Sequence, residues 1–143
     1  MIKKFVFLIA LFWVVENVFA DNINVTLEIN GVTVNGGLLY VAVYSNDTDY
    51  RNRQAFMSFI LNSNNARITH SIRLTEGEYV VSIFQDTNGD GRLNETIFRI
   101  PTEPVGITNY NHRGSSGNFN RLKVSVNNNS TTITVNMGRV RPI

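Results

Sequence analysis

One stretch of the chain carries side chains whose types and spacing suit a defined chemistry. Asp86-Thr87-Asn88-Gly89-Asp90-Gly91-Arg92-Leu93-Asn94 places oxygen-bearing residues at alternate positions, with a glycine after the third. Calcium takes about six to eight hard oxygens, and a tight loop of this spacing aims alternate side chains at one centre. Counted as such a loop, Asp86, Asn88 and Asp90 supply the first three ligands, Gly91 permits the sharp turn, the carbonyl of Arg92 follows, and Asn94 comes next. The position that should offer a bidentate carboxylate is Ile97. Glu95 or Glu103 would have to replace it. The same residues also read as a strand connection, in which Asn88-Gly89 and Asp90-Gly91 are turn dipeptides and Asp86 caps its own loop. If a metal binds here, so few charged ligands predict a Kd of about 10⁻⁴–10⁻³ M.

The elements around this loop are strands. Val25, Leu27 and Ile29 alternate with polar residues, as do Ile68, His70, Ile72 and Leu74. Leu38 to Tyr44 and Tyr79 to Phe84 are apolar on both faces, which predicts central strands. Leu122, Val124 and Val126, then Ile133, Val135 and Met137, flank an Asn-rich turn and predict a closing hairpin. Between Asp49 and Leu61 the pattern allows a short helical turn or an irregular strand. Count and spacing predict an all-β fold, an antiparallel β-sandwich of about seven strands.

The N-terminus reads as a secretory signal. Lys3 and Lys4 precede an apolar run from Phe5 to Val15, about a dozen residues and short for a membrane span. Val18-Phe19-Ala20 then predicts cleavage after Ala20, leaving residues 21–143 as one domain in a secreted or periplasmic setting. Cleavage removes Lys3, Lys4 and Glu16, so the remaining chain is nearly neutral despite a pI near 9.2. Its basic residues are scattered along the sequence without interleaved stacking aromatics, which argues against nucleic-acid binding. The absence of cysteine excludes disulfides, thiol catalysis and thiolate metal sites.

The block Leu74-Thr75-Glu76-Gly77-Glu78-Tyr79-Val80-Val81-Ser82-Ile83-Phe84-Gln85-Asp86, followed by Asn88, Gly89, Gly91, Leu93 and Asn94, resembles a family of secreted bacterial proteins, domain of unknown function 2141. So does Ile100-Pro101-Thr102-Glu103-Pro104-Val105-Gly106. The pattern it resembles is a strand entered through Pro-Gly-x-Tyr-Ala, then Asp-x-Asn-x-Asn/Asp-Gly-x-Leu-Asp, then Gly-Ile-Pro-x-Glu-x-Tyr-Gly. The sequence departs from it at Glu76, Asn94, Arg99, Val105 and Ile107. The resemblance implies an Ig-like or prealbumin-like sandwich outside the cytoplasm, with no membrane span after cleavage, and implies no activity. By placing Glu103 in the same recurring block as the loop, it makes Glu103 the carboxylate to test.

Catalysis has little to stand on. His70 lies on an apolar alternation and His112 in a polar loop, and no nucleophile elbow or ligand spacing accompanies them. The expectation is a non-enzymatic module with a calcium-binding loop at 86–94. The alternative is a carbohydrate- or peptide-binding module that meets a cell-surface or periplasmic protein or glycan through the loops of 86–117.

Overall fold

The computed structural model describes residues 20–143, and among these eight strands form two sheets. The smaller sheet has the order β4 (Arg67–Leu74), β1 (Ile23–Asn30), β8 (Thr132–Asn136). The larger has the order β3 (Met57–Leu61), β2 (Leu38–Tyr44), β5 (Gly77–Asp86), β6 (Val105–Ile107), with β7 (Val124–Val126) also on β5. The segment read as a signal lies outside the described residues, except Ala20, which is exposed. No helix of the described residues is long and apolar enough to cross a membrane.

Period-two alternation builds the core directly. Val25, Leu27 and Ile29 of β1 are fully buried, facing Val41 and Val43 of β2 and Val81 and Ile83 of β5 within one apolar cluster. The sheets therefore stack as a sandwich. β2 is central, between β3 and β5, as its two-sided apolar pattern requires. Its outer face is covered by a second cluster built from Tyr44, Val80, Val105, Tyr110, Phe119 and Leu122. That cluster brings the segment after β6 and α2 (Phe119–Leu122) over the larger sheet.

Three expectations need correction. The sandwich is not purely antiparallel, because β1 and β8 run parallel. The closing pair is not a hairpin: β7 pairs with β5 and β8 with β1, so the Asn127–Ser130 turn crosses between sheets. Alternation marks which side of a strand is buried but not which sheet it joins, so both arrangements show the same pattern. Leu122 belongs to α2, where Phe119 and Leu122 are buried at helical spacing and the Asn118 side chain accepts from the Arg121 N–H at 3.1 Å. The Asp49–Leu61 stretch resolves into α1 (Asp47–Asn52), capped by Asn46, and then β3.

Two features fix the place where the acidic loop leaves the sheet. Gly37 has φ +109°, and a Cβ there would lie 1.8 Å from the Asp86 carbonyl oxygen, so only glycine lets β2 begin against the end of β5. Gln85 is fully buried and donates from Nε2 to the Thr33 carbonyl at 2.7 Å, while its Oε1 accepts from the Thr33 N–H at 3.0 Å. The loop before β2 is thereby pinned beside Asp86.

Candidate functional site

Asp86 is the last residue of β5 and is 4 % exposed. Its Oδ1 accepts from the N–H groups of Gly89 at 3.0 Å and Asp90 at 3.2 Å, and its Oδ2 from that of Gly91 at 2.8 Å. Gly89 and Gly91 both have φ +74°, the left-handed region, and that is what turns successive N–H groups inward onto one carboxylate. Asp86 therefore caps its own loop.

Glu103 holds the loop from beneath. It is 3 % exposed; its Oε1 accepts from the Thr87 N–H at 2.9 Å and its Oε2 from the Asn94 N–H at 3.2 Å. The Asn94 carbonyl accepts from the Thr102 N–H at 2.9 Å, so the segment carrying Glu103 runs back along the loop. The proximity of Glu103 to the loop, implied by the resemblance, is realised as a clamp on both of its ends.

The remaining oxygens gather at the surface. Asp90 accepts at Oδ1 from the Arg92 N–H at 2.9 Å and at Oδ2 from the Asn94 amide at 2.9 Å, and Asn88 donates to Asn94 Oδ1 at 2.9 Å. The Asn94 hydrogen bond first, then the Arg92 N–H, hold the Asp90 carboxyl below its ordinary value. Rotating an Asn amide by half a turn exchanges its oxygen and nitrogen, so Asn88 and Asn94 can each present an oxygen beside Asp90. This donor set suits a hard cation in kind. In charge it is thin, because the Asp86 and Glu103 oxygens already take backbone N–H groups. No group of three or more His, Asp or Glu suited to a metal ion occurs among the described residues.

The bond pattern of this loop falls inside a match to a family model described as an uncharacterized protein conserved in bacteria (DUF2141), which covers residues 27–134. The chain belongs to this family. No curated protein and no solved structure matched it. The DUF2141 match thus runs from the middle of β1 into β8 and includes both buried carboxylates.

Elsewhere in this DUF2141 domain the conspicuous side chains have structural partners. His70 is half-buried against the ring of Phe59, with centroids 4.9 Å apart. His112 is half-buried rather than exposed, because its Nε2–H donates to the Val105 carbonyl at 2.8 Å. Glu78 accepts from Lys123 Nζ at 2.6 Å at the surface. Tyr40 and Phe84 stack in parallel with centroids 4.9 Å apart, each covering a face of the other.

Sequence reasoning missed Gln85 and a basic cleft. Gln85 stood out only as an amide in an inward position of an apolar strand. The cleft gathers Arg113, Arg121, Arg139 and Arg141 from three separate segments. Its signal was available: no Asp or Glu follows Glu103, whereas these arginines and Lys123 all do.

Proposed function

We propose that this DUF2141 protein acts outside the cytoplasm as a non-enzymatic β-sandwich module whose 86–94 loop takes a calcium ion weakly. One observation carries the reading: two buried carboxylates, Asp86 and Glu103, fix the loop backbone from below, leaving Asp90, Asn88 and Asn94 grouped at the surface. Asp90 is the charged ligand, Asn88 and Asn94 contribute amide oxygens, and the Arg92 carbonyl lies in the same turn. With a single outward carboxylate, affinity is expected at about 10⁻⁴–10⁻³ M, in the range of extracellular modules. The non-catalytic part is supported by the histidines, which pack on Phe59 and bond to Val105 instead of pairing with a carboxylate.

Calorimetric titration with calcium tests the loop. The parent protein should give saturable heat and a raised melting temperature, and Asp90→Asn should weaken binding at least tenfold while folding normally. Asp90 is the informative position because it is exposed and takes a single backbone N–H, that of Arg92, whereas buried Asp86 takes three. No heat and no change in melting temperature up to about 10 mM calcium, well above the expected range, would end the calcium reading. Export is tested by sequencing the N-terminus of protein recovered outside the cytoplasm, which should begin at Asp21.

A further inference from the structure

The loop after β6 and the C-terminal segment are joined as a short parallel ladder. The Gly114 N–H donates to the Arg141 carbonyl at 3.0 Å and the Arg141 N–H to the His112 carbonyl at 2.8 Å, which pairs Arg113 with Arg141. Partners on adjacent strands send their side chains to the same side, and like charges so placed repel. The backbone holding them is well secured: Tyr110 is buried and donates from its hydroxyl to the Gly114 carbonyl at 2.6 Å.

Two more guanidinium groups join this pair. Arg121 lies along Gly117, where a Cβ would come within 2.9 Å of Arg121 Cδ and 3.4 Å of Nη1. Arg139 is oriented by its hydrogen bond to the Thr102 carbonyl. Arg113, Arg139 and Arg141 line one open cleft of about 320 Å³; Arg113, Arg121 and Arg141 line an adjoining one of about 760 Å³. These volumes are those of small-molecule sites, roughly 300–1,000 Å³. No carboxylate side chain lines either cleft, and the ion pairs among the described residues (Arg51–Asp47, Arg67–Glu28 and Lys123–Glu78) involve none of these arginines.

We propose that the cleft between the Asn111–Ser115 loop and the C-terminal segment binds a phosphate monoester. Four cations gathered with no Asp or Glu among them repel one another unless an anion joins them, and guanidinium forks pair with phosphate oxygens two at a time. A carboxylate offers two oxygens and a single charge, which one fork satisfies. A phosphate monoester offers three oxygens and nearly two charges, which suits guanidiniums arriving from several directions. The cleft continues past the arginines along Pro142 and Ile143, leaving room for the esterified body. This site is separate from the 86–94 loop and does not depend on calcium.

The test is an amide-shift titration by NMR at constant ionic strength with inorganic phosphate, with glycerol 3-phosphate and, as the control anion, with acetate. Saturable shifts should concentrate at Asn111, Arg113, Gly114 and Arg141, with the ester binding more tightly than inorganic phosphate and acetate at least tenfold more weakly. Arg141→Gln should weaken phosphate binding at least tenfold yet leave the melting temperature in phosphate-free, low-salt buffer unchanged or higher, because it relieves repulsion. Co-sedimentation with vesicles containing phosphatidic acid separates the two sources of this group: retention assigns a lipid headgroup, and its absence beside soluble binding assigns a free ester. Shifts spread over the surface, equal for all anions or unchanged in Arg141→Gln, would overturn the proposal. So would a fall in melting temperature in Arg141→Gln with phosphate binding intact, since that marks a purely structural arginine.

Discussion

The acidic loop and the arginine cleft handle charge in opposite ways. At Asp86 and Glu103 the charge is buried, and every carboxylate oxygen has a backbone N–H donor within 3.2 Å. At Arg113, Arg121 and Arg141 the charge is exposed, and no Asp or Glu lines the cleft around them. The first arrangement is complete without a ligand and serves the fold. The second is incomplete without one, which is why it points outward to a partner. Charged residues that stand out in a sequence need not be the ones left free to bind.

That comparison can be broken at its buried end first. Asp86→Ala takes the acceptor from the Gly89 and Gly91 N–H groups and leaves the Asp90 N–H only Asn88 Oδ1. Bonds to a charged acceptor are worth about 1.5–3 kcal/mol each, less where water reaches these exposed residues. A net loss of about 3 kcal/mol is expected in urea denaturation, a large part of a small domain's stability. A loss below about 0.5 kcal/mol, the range of ordinary surface changes, would show that the loop does not depend on its cap. Glu103→Gln keeps the shape but turns an amide donor toward either Thr87 or Asn94, and about 1–2 kcal/mol should be lost by the same measurement. The smallest effect is at Asp90. Its folded carboxyl is held low, so its contribution is present above the unfolded value and lost as pH falls through the folded one. Asp90→Asn should therefore lower the melting temperature slightly at neutral pH, and the difference from the parent should vanish as pH falls below the folded value, which flattens the acid limb. A melting-temperature series against pH reads this directly.

Much of the sandwich was legible because burial on a sheet is written with a period of two. β1, β2, β4 and β5 fall where Val25 to Ile29, Leu38 to Tyr44, Ile68 to Leu74 and Tyr79 to Phe84 place them. The destination of β7 and β8 was not, since Val124, Val126, Ile133 and Val135 alternate identically whichever sheet receives them. The loop was legible as a cluster, and its link to Glu103 came through family resemblance. Its bonding was not, because Asp, Asn and Gly at these spacings serve a turn and a cation equally well. The arginine cleft was invisible as a site. Arg113 and Arg141 lie far apart in sequence and meet only through a backbone ladder that no local pattern announces.

The parallel pairing of β1 with β8 has a consequence for how the chain comes into being. The first strand cannot complete its sheet until the last has emerged, since Thr26 to Asn30 find their second neighbour only at Thr132 to Asn136. Chains still being synthesised lack one side of their smaller sheet, and its closure waits until Thr132 to Asn136 are available. A protein built this way closes its smaller sheet only when nearly the whole of its length is available.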